Sequence, residues 1–287
     1  MGSAILQGVI EACEKEKSAD RKPRFSKFIA CVNSQASVER LEVRFQKHLS
    51  SLKILLKNNL DGIKDADIVM LGCKPYIVEE VLGGKGFAEA LNGKLLISFA
   101  VGTPIEKLCG ALLSVKDRAE YRGAYKKRLN NMGWDIAMVR GMMNLAAQYA
   151  QSLTVIEDVE LPGDYEDITN WIFSQLGTTS LVAPELFDVG GVIAGTSAAF
   201  MTVAIDGMLD GAVAEGIKRA EARKMLAQTL KSLSVLLENG ETPDTLREKF
   251  SSPRGTTIAG TMSLEGDNVR AAYTRAIIKA TKRSKEM

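Results

Sequence analysis

Three polar segments in the first half of the chain contain side chains suited to binding a nucleotide. They are Asn33-Ser34, Lys74-Pro75 and Gly102. Each follows a short apolar run that predicts a buried β-strand. Ligands of open parallel sheets bind beyond the carboxyl ends of the strands. These segments therefore predict a nucleotide-binding edge, which by itself leaves dehydrogenases, methyltransferases and nucleotide-binding modules as alternatives.

Residues for metal or nucleophilic chemistry are few. The chain contains four cysteines and one histidine. The cysteines lack the Cys-x-x-Cys spacing that is typical of zinc sites and redox motifs. We predict no metal site, no disulfide and no role for His48, which we place at a solvated helix end. The predicted buried thiols, in a reducing compartment, are Cys13, Cys31, Cys73 and Cys109.

Length and composition limit the class of protein. The 287 residues correspond to one large or two ordinary domains, and 46% are hydrophobic and 25% charged, as in globular proteins. The net charge of +2 is far from the basic balance of proteins that bind a phosphate backbone. We therefore expect a folded protein with no nucleic-acid partner.

Targeting and membrane signals are weak. Acidic residues follow the apolar start at Glu11, and the basic region of a signal peptide is missing. The charge-free run from Val189 to Ile205 is rich in small residues and is short for a membrane span. It predicts a buried helix packed closely against other helices, in a cytoplasmic protein with no membrane partner.

The elements that position these residues change along the chain. Short apolar runs alternate with helical stretches in the first half, which is the pattern of a parallel sheet with crossover helices. We predict helices at 37–47 and 77–91, and a helix with Thr103 as N-cap and Pro104 in its first turn. The predicted strands are 28–32, 68–72, 94–99, 136–140 and 152–156, and the pattern changes after the run 178–182.

From Pro184 onward, apolar residues recur at helical spacing, and the second half is predicted to be all-helical. The predicted fold class is α/β, with a nucleotide-binding domain at 1–182 and a helical domain at 183–287. Met138, Met142 and Met143 are interpreted as packing residues.

Three runs carry a resemblance to a known family. They are GCKPYIVEEVL at 72–82, GKLLISFAVG at 93–102 and SPRGTTIAG at 252–260. In order and spacing they resemble the pyrroline-5-carboxylate reductase family, its fungal members most closely. The resemblance covers nearly the whole chain, and the Ser-Pro-x-Gly-Thr-Thr element is its most specific motif.

The resemblance implies a Rossmann-like NADP-binding domain followed by a helical dimerisation domain. It also implies an enzyme that transfers hydride from NADPH, with NADH as the other possibility, to the C=N bond of a cyclic imine to form proline. The partners implied are a small-molecule substrate and further copies of the chain, as a homodimer or larger homo-oligomer.

Individual roles follow from the same resemblance. Thr257 and Lys74 are implied as catalytic residues, with the Thr257 hydroxyl hydrogen-bonding the imine nitrogen. The helix N-terminus at Thr256 offers N–H groups to the substrate carboxylate. The implied substrate-binding residues are Ser252, Gly255, Thr256 and Thr257. The implied cofactor-binding residues are Gly2 and Pro75, Ser34 near the 2′-phosphate, Asn59 near the adenosine-side ribose, and Lys74, Ala100, Gly102 and Asn144 at the nicotinamide end.

The sequence also departs from the family pattern. Gly2 matches only the last glycine of Gly-x-Gly-x-x-Gly, and about ten residues of the family's start, including its central strand, have no counterpart. We interpret Met1 as an internal methionine. Arg254 replaces a family glycine, Met143 and Leu145 replace Pro and Thr beside Asn144, and Ala194–Ala199 has lost a Gly, a Pro and a Ser. The basic stretch 114–134 is interpreted as a solvated insertion or an unspliced intron.

Three functions remain open on the sequence. The first is the proline-forming reductase. The second is a diverged paralogue that reduces another cyclic imine, with Arg254 binding an anionic group of that substrate. The third is a non-catalytic relative that keeps the helical domain and no longer binds NADPH.

Overall fold

The computed structural model describes residues 2–120 and 124–287 and divides into two compact units. The first unit contains the residues up to Gly195 together with Thr281–Met287, and the second is Thr196–Ala280. The units differ from the boundary predicted at 182/183. The residues after 182 stay with the first unit because Phe187 and Ala194 are buried in one apolar cluster with sheet residues.

The first unit contains two β-sheets. A two-stranded parallel sheet pairs β1 with β2, and a five-stranded sheet has the order β3-β4-β5-β6-β7. In the larger sheet, β3, β4 and β5 are parallel, β6 is antiparallel to β5, and β7 is parallel to β6. The strands are β1 (Phe28–Val32), β2 (Leu52–Leu56), β3 (Ile68–Leu71), β4 (Leu95–Ser98), β5 (Ala137–Met142), β6 (Ser152–Glu157) and β7 (Gly177–Val182).

The structure contains every predicted strand and adds β7 and, between β1 and β3 along the chain, β2. Its short run, Leu-Lys-Ile-Leu-Leu, has an apolar pattern that fits a helix as well as a strand at this length. The neighbouring strand decides between them, because β2 pairs in register with β1 from Leu52 beside Phe28 to Leu56 beside Val32.

Helix α1 (Gly2–Ser18) contacts the cores of both sheets. Ile5 and Val9 are buried with Leu95 and Ile97 of β4, whereas Ile10 is buried in the cluster beside β2. Within the described residues, β1 and β3 each have one edge without a strand partner.

The other helices of the first unit connect the strands. The helix predicted at 77–91 is divided by glycines, and Gly86 has a φ of +86° that a regular helix does not tolerate. The predicted cap at Thr103 is wrong, because Pro104 itself occupies the N-cap and the Thr103 hydroxyl bonds the Val101 carbonyl. These helices are α2 (Gln35–Arg44), α3 (Asn59–Asp65), α4 (Val78–Leu82), α5 (Phe87–Leu91) and α6 (Ile105–Leu112).

The basic stretch 114–134 is partly integrated into the fold. It contains α7 (Val115–Glu120) and α8 (Tyr125–Asn131), and residues 121–123 lie outside the described part. Leu129 is 2% exposed in the main core, and Arg128 forms a 2.7 Å ion pair with Asp117. This stretch is therefore more than a solvated loop, since it contributes to the core. The next helices are α9 (Tyr165–Ser174) and α10 (Phe187–Gly191).

The second unit is helical, as predicted. It contains α11 (Ser197–Ala214), α12 (Arg219–Glu238), α13 (Pro243–Phe250), α14 (Thr256–Gly266) and most of α15 (Val269–Lys285). The helix predicted to be buried at Val189–Ile205 is buried only in its first part in this single chain. Gly191, Val192 and Ala194 are buried, whereas the residues of α11 up to Ile205 are half-buried or exposed. The helical run Pro184–Ala214 is apolar and long enough to cross a membrane. Such a helix is weak evidence for a span, because interface helices have the same composition.

Candidate cofactor and substrate sites

The carboxyl ends of β3, β4 and β5 meet at one edge of the larger sheet. Leu71 pairs with Ser98, and Ser98 pairs with Arg140, so the three parallel strands end at similar levels. The segments that follow them contain the predicted cofactor residues Lys74 and Pro75, Ala100 and Gly102, and Asn144. The structure therefore brings these five residues to one edge, where open parallel sheets bind ligands.

Lys74 follows β3 and stands at the N-cap of a short 3-10 turn, Pro75–Ile77. Pro75 is suited to this place because its fixed φ favours the first position of a helical turn. The Lys74 side chain is exposed. Its ammonium group is therefore open to solvent at this edge.

Ala100 and Gly102 form a tight loop after β4. Ala100 is 5% exposed, and its N–H donates a 3.3 Å hydrogen bond to the Ser98 hydroxyl. Gly102 has a φ of +64°, in the left-handed region that favours glycine. The loop therefore offers backbone rather than side chains at the sheet edge.

Asn144 follows β5 and is a structural link. Its Oδ1 accepts a 2.9 Å hydrogen bond from the Ala146 N–H, and its Nδ2 donates a 2.8 Å bond to the Ala194 carbonyl. Ala194 lies in a π-helical turn, Val192–Thr196, and such turns are frequent at functional sites. The Asn144 side chain therefore fixes the backbone of Ala146 and Ala194 at the sheet edge. Its second Nδ2 hydrogen has no acceptor among the residues that the structure describes and is available to a ligand.

Ser34 and Asn59 follow β1 and β2, at the end of the smaller sheet. Ser34 is the N-cap of α2, and its hydroxyl accepts a 3.3 Å hydrogen bond from the Ser37 N–H. Asn59 is the first residue of α3, whose cap is Asn58. The described residues therefore place these two predicted positions at neighbouring helix starts.

Two basic residues beside Ser34 were missed from the sequence. Arg40 Nη2 donates a 3.3 Å hydrogen bond to the Ser37 hydroxyl, which also accepts a 3.0 Å bond from Ser34. Lys57 is exposed and follows β2, and its N–H donates to the Val32 carbonyl at 2.8 Å. The available signal was an arginine two turns into a helix with no acidic residue in its first turn. Lys57 had no local signal, because β2 itself was not predicted.

Gly2 opens α1. A Cβ atom at Gly2 would meet no described atom within 4 Å, so packing within the described residues does not require a glycine here. The first turn of α1 contains no acidic residue, which leaves its N–H groups suited to an anion.

The predicted substrate residues lie together in the second unit. Gly255 is the N-cap of α14, and its N–H donates a 2.9 Å hydrogen bond to the Ser252 carbonyl. A Cβ atom at Gly255 would lie 2.3 Å from the Ser252 hydroxyl, so any other residue here would force that hydroxyl to move. Thr256 is exposed and Thr257 half-buried in the first turn of α14. That turn presents free N–H groups and two hydroxyls, which suit a carboxylate.

Comparison with known proteins matches two families to different parts of the chain. Residues 184–287 match the family described as pyrroline-5-carboxylate reductase dimerisation, and residues 1–102 match the NADP oxidoreductase, coenzyme F420-dependent family. Pyrroline-5-carboxylate reductase from Lophium arboricola is 34% identical over 98% of this chain and 88% of the relative. The enzyme of that name from Neurospora crassa is 32% identical over 98% of this chain and 88% of the relative.

The chain belongs to the pyrroline-5-carboxylate reductase family. The structure of 1-pyrroline-5-carboxylate reductase from Streptococcus pyogenes has the same fold, with a TM-score of 0.77, 24% identity, and coverage of 100% of this chain and 95% of that chain. The NADP-bound pyrroline carboxylate reductase from Plasmodium falciparum has a TM-score of 0.72 at 20% identity, covering 91% and 97%. The predicted fold class, a Rossmann-like domain followed by a helical dimerisation domain, is confirmed.

One departure of this reductase-family chain from the family motif strains its backbone. Arg254, which replaces the first glycine of the Gly-Gly pair, has a φ of +61° and is exposed. A residue with a Cβ atom pays roughly 1–2 kcal/mol in this region.

The strain at Arg254 leads to a stability prediction. We expect Arg254→Gly to increase the free energy of unfolding by up to about 1 kcal/mol, because glycine adopts this conformation without a Cβ clash while its greater freedom in the unfolded chain offsets part of the gain. Urea unfolding followed by circular dichroism measures the change. Asn268→Gly is the matched control, since Asn268 has a φ of +54° and asparagine tolerates that region. Equal gains in both variants would contradict the prediction.

The thiols of this family member are poorly suited to nucleophilic chemistry. Burial raises the pKa of Cys109 to about 12, and desolvation also raises the pKa of Cys13, Cys31 and Cys73. Cys13 and Cys109 are buried as predicted, whereas Cys31 is exposed and Cys73 is half-buried, contrary to the prediction. Met138, Met142 and Met143 are buried packing residues, as predicted.

His48 has a structural contact that the sequence did not indicate. Its Nδ1 lies 2.7 Å from Oε1 of Glu14 in α1, and its side chain is 19% exposed. The histidine is therefore partly enclosed rather than at a solvated helix end.

Proposed function

We propose that this chain catalyses the NAD(P)H-dependent reduction of the C=N bond of 1-pyrroline-5-carboxylate to proline. The observation that carries the proposal is the juxtaposition, at one sheet edge, of Lys74, the Ala100–Gly102 loop and Asn144. The substrate and the residue roles both come from the resemblance to the family, and the local geometry within each unit supports them.

The described residues fit a dinucleotide cofactor. The start of α2 offers N–H groups, the Ser34 hydroxyl and the guanidinium of Arg40, which are donors suited to a phosphate. Lys74, the backbone of Ala100 and Gly102, and the remaining Asn144 amide hydrogen would hold the nicotinamide end. The bound cofactor supplies the hydride, and the protein binds and orients it.

The substrate carboxylate binds at the first turn of α14, where Thr256 and Thr257 offer N–H groups and hydroxyls. The Thr257 hydroxyl donates a hydrogen bond to the imine nitrogen, which withdraws electrons from the carbon that accepts hydride. The carbon gains hydride and the nitrogen gains a proton that comes from solvent water, so the C=N double bond becomes the C–N single bond of proline and the Thr257 hydroxyl is unchanged.

We expect the enzyme to prefer NADPH to NADH. Rossmann enzymes that bind NAD use an acidic residue near the end of the fold's second strand to bind the ribose 2′-hydroxyl. In this chain the corresponding strand is β1, and it is followed by Asn33-Ser34. Arg40 and Lys57 add positive charge near Ser34.

We expect Arg40→Ala to raise KM for NADPH about tenfold and to leave KM for NADH unchanged, as measured by steady-state kinetics with both cofactors. A matched control is Arg44→Ala, an exposed arginine at the end of the same helix, and equal losses for both cofactors would contradict the prediction.

A second candidate substrate class rests on Arg254. Its exposed guanidinium, two residues before Thr256, is suited to an additional anionic group. The alternative is therefore a cyclic imine with a second carboxylate, reduced by the same chemistry in specialised metabolism.

The test of the proposed function is NADPH consumption at 340 nm with pyrroline-5-carboxylate and with other cyclic imines in parallel. Two forms are compared: the chain as printed, and a version extended at its start by a strand and a Gly-x-Gly-x-x-Gly turn from a relative. Turnover with pyrroline-5-carboxylate supports the proposal, and higher kcat/KM for another imine favours the diverged reductase. Failure of both folded forms to bind NADPH favours the non-catalytic reading.

The helical unit is proposed to form a homodimer in the cytoplasm. Its helices leave many large apolar side chains exposed in the single chain, and such patches are typical of protein interfaces. We expect light scattering at micromolar concentration to give at least twice the chain mass of 31.1 kDa, and a monomer would contradict the proposal. The exposed residues include Met201, Val203, Met208, Val213, Met225, Val235, Met262, Leu264 and Ile278.

A further inference from the structure

The segment Thr281–Met287 belongs to the first compact unit rather than to the helical one. Ser284 is 7% exposed, and its hydroxyl donates a 2.6 Å hydrogen bond to Oδ1 of Asp188 in α10. Lys107 Nζ, in α6, donates a 2.8 Å hydrogen bond to the carbonyl of Met287. Two side-chain hydrogen bonds therefore hold this segment against the unit that contains both sheets.

The segment Thr281–Met287 lies in close contact with the loop after β4. A Cβ atom at Gly102 would lie 2.5 Å from Cβ of Met287 and 2.7 Å from the Ser284 carbonyl oxygen. No side chain therefore fits at Gly102 while Ser284 keeps its place. The contact and the positive φ of Gly102 are two independent reasons for glycine at this position.

Helix α10 connects the loop after β4 with the segment Thr281–Met287. Val101, the residue before Gly102, packs against the apolar cluster that contains Phe187 of α10. The guanidinium carbon of Arg140 lies 4.1 Å from the centre of the Phe187 ring. Asp188 therefore projects from a helix anchored on β5, and its hydrogen bond to Ser284 connects the sheet to Thr281–Met287.

We propose that Ser284 and Asp188 are positioning residues that hold the Ala100–Gly102 loop in its cofactor-binding conformation. The inference rests on the proposed function, in which this loop lines the nicotinamide. Glycine populates many backbone conformations. If the loop samples them in the free enzyme, only the competent fraction binds cofactor, and the apparent Kd rises by the inverse of that fraction. The contact with Ser284 and Met287 keeps that fraction high.

The first test is NADPH binding, measured by fluorescence titration. We expect Ser284→Ala to raise Kd for NADPH about tenfold and to change kcat less than twofold, because the bound cofactor restores the loop. Asp188→Asn keeps an oxygen that accepts the Ser284 hydrogen bond, so we expect it to rescue binding to within about twofold, whereas Asp188→Ala does not. Ser234→Ala is the matched control, because Ser234 also donates a hydrogen bond to a carboxylate, that of Glu238, on an exposed helix.

A double-mutant cycle separates this role from a general loss of stability. Ser284→Ala and Asp188→Ala together are expected to weaken NADPH binding no more than either alone, since each removes the same hydrogen bond. Additive losses would overturn the proposal. Lys107→Met removes the exposed hydrogen bond to Met287 without disturbing buried Ser284, and we expect it to raise Kd about threefold. If the Ser284 and Asp188 variants do not fold, the Lys107→Met variant decides the question. An unchanged Kd for NADPH in that variant would then overturn the proposal.

Amide hydrogen exchange in the cofactor-free enzyme reports the loop directly. Ser284→Ala is expected to accelerate exchange at 100–103 and to leave the amides of β4 unchanged. Faster exchange with an unchanged Kd for NADPH would overturn the inference while the proposed function stands. Absence of NADPH binding by both the chain as printed and its extended form would instead refute the proposed function, and the inference with it.

Discussion

Thr257→Ala is expected to lower kcat for pyrroline-5-carboxylate about a hundredfold. Its hydroxyl is half-buried in the first turn of α14, and a positioned proton donor typically contributes 10²–10⁴-fold, of which we take the lower end. The loss falls on kcat because the hydrogen bond to nitrogen strengthens as hydride arrives. Steady-state kinetics with saturating NADPH measures it.

Three variants make the Thr257 result specific. Thr257→Ser keeps the hydroxyl and is expected to stay within a few-fold of the unmodified enzyme. Thr229→Ala removes a threonine hydroxyl that bonds only its own helix backbone, at Met225, and is expected to have no effect. Lys74→Ala is expected to act mainly on KM for NADPH, because we place Lys74 at the nicotinamide. Loss of kcat in Thr229→Ala, or full activity in Thr257→Ala, would refute the assignment.

Arg140→Met is expected to lower the free energy of unfolding by about 3–5 kcal/mol, the range for a buried charge left without its partner. Arg140 and Glu157 are 5% and 4% exposed, and Arg140 Nε and Nη2 donate hydrogen bonds of 2.8 and 2.6 Å to the two carboxylate oxygens of Glu157. A typical domain has about 5–15 kcal/mol of stability in total, so this loss is a large share of it. Urea unfolding followed by circular dichroism measures it.

The double variant Arg140→Met with Glu157→Leu is the decisive companion. Replacing both members of a buried pair by apolar residues is often neutral, so we expect it to recover most of the stability. Lys53→Met breaks the exposed pair with Asp65 and is the matched control, expected to have a much smaller effect. A double variant as unstable as Arg140→Met would show that the loss comes from packing against Phe187 rather than from the unpaired carboxylate.

The strands were readable from sequence to different degrees. The runs of β3 and β4 are continuous and apolar, and the structure covers β4 so completely that each of its four residues is buried. A continuous apolar run of this kind is typical of a strand that is buried on both faces in a parallel sheet. β2 has a lysine in its run and gains its structure from pairing with β1, a long-range contact that no local pattern states.

The candidate site shows the same division. The strand ends at Ser34, Lys74 and Gly102 were readable because polar and glycine residues interrupt apolar runs. The position of the Arg40 guanidinium beside Ser34 could not be predicted, because it depends on the formation of α2. The position of Lys57 depends on the pairing of β1 with β2.

The sequence by itself determined the family, most of the strands, the helical character of the second half, and the residue types at the strand ends and at the start of α14. These are local properties, because periodicity, capping residues and motifs act over a few neighbouring residues. Only the tertiary structure decided that Arg140 faces Glu157 and that Ser284 reaches Asp188. These partners are far apart in the chain, and the free energy that joins them comes from burial, which depends on the whole fold.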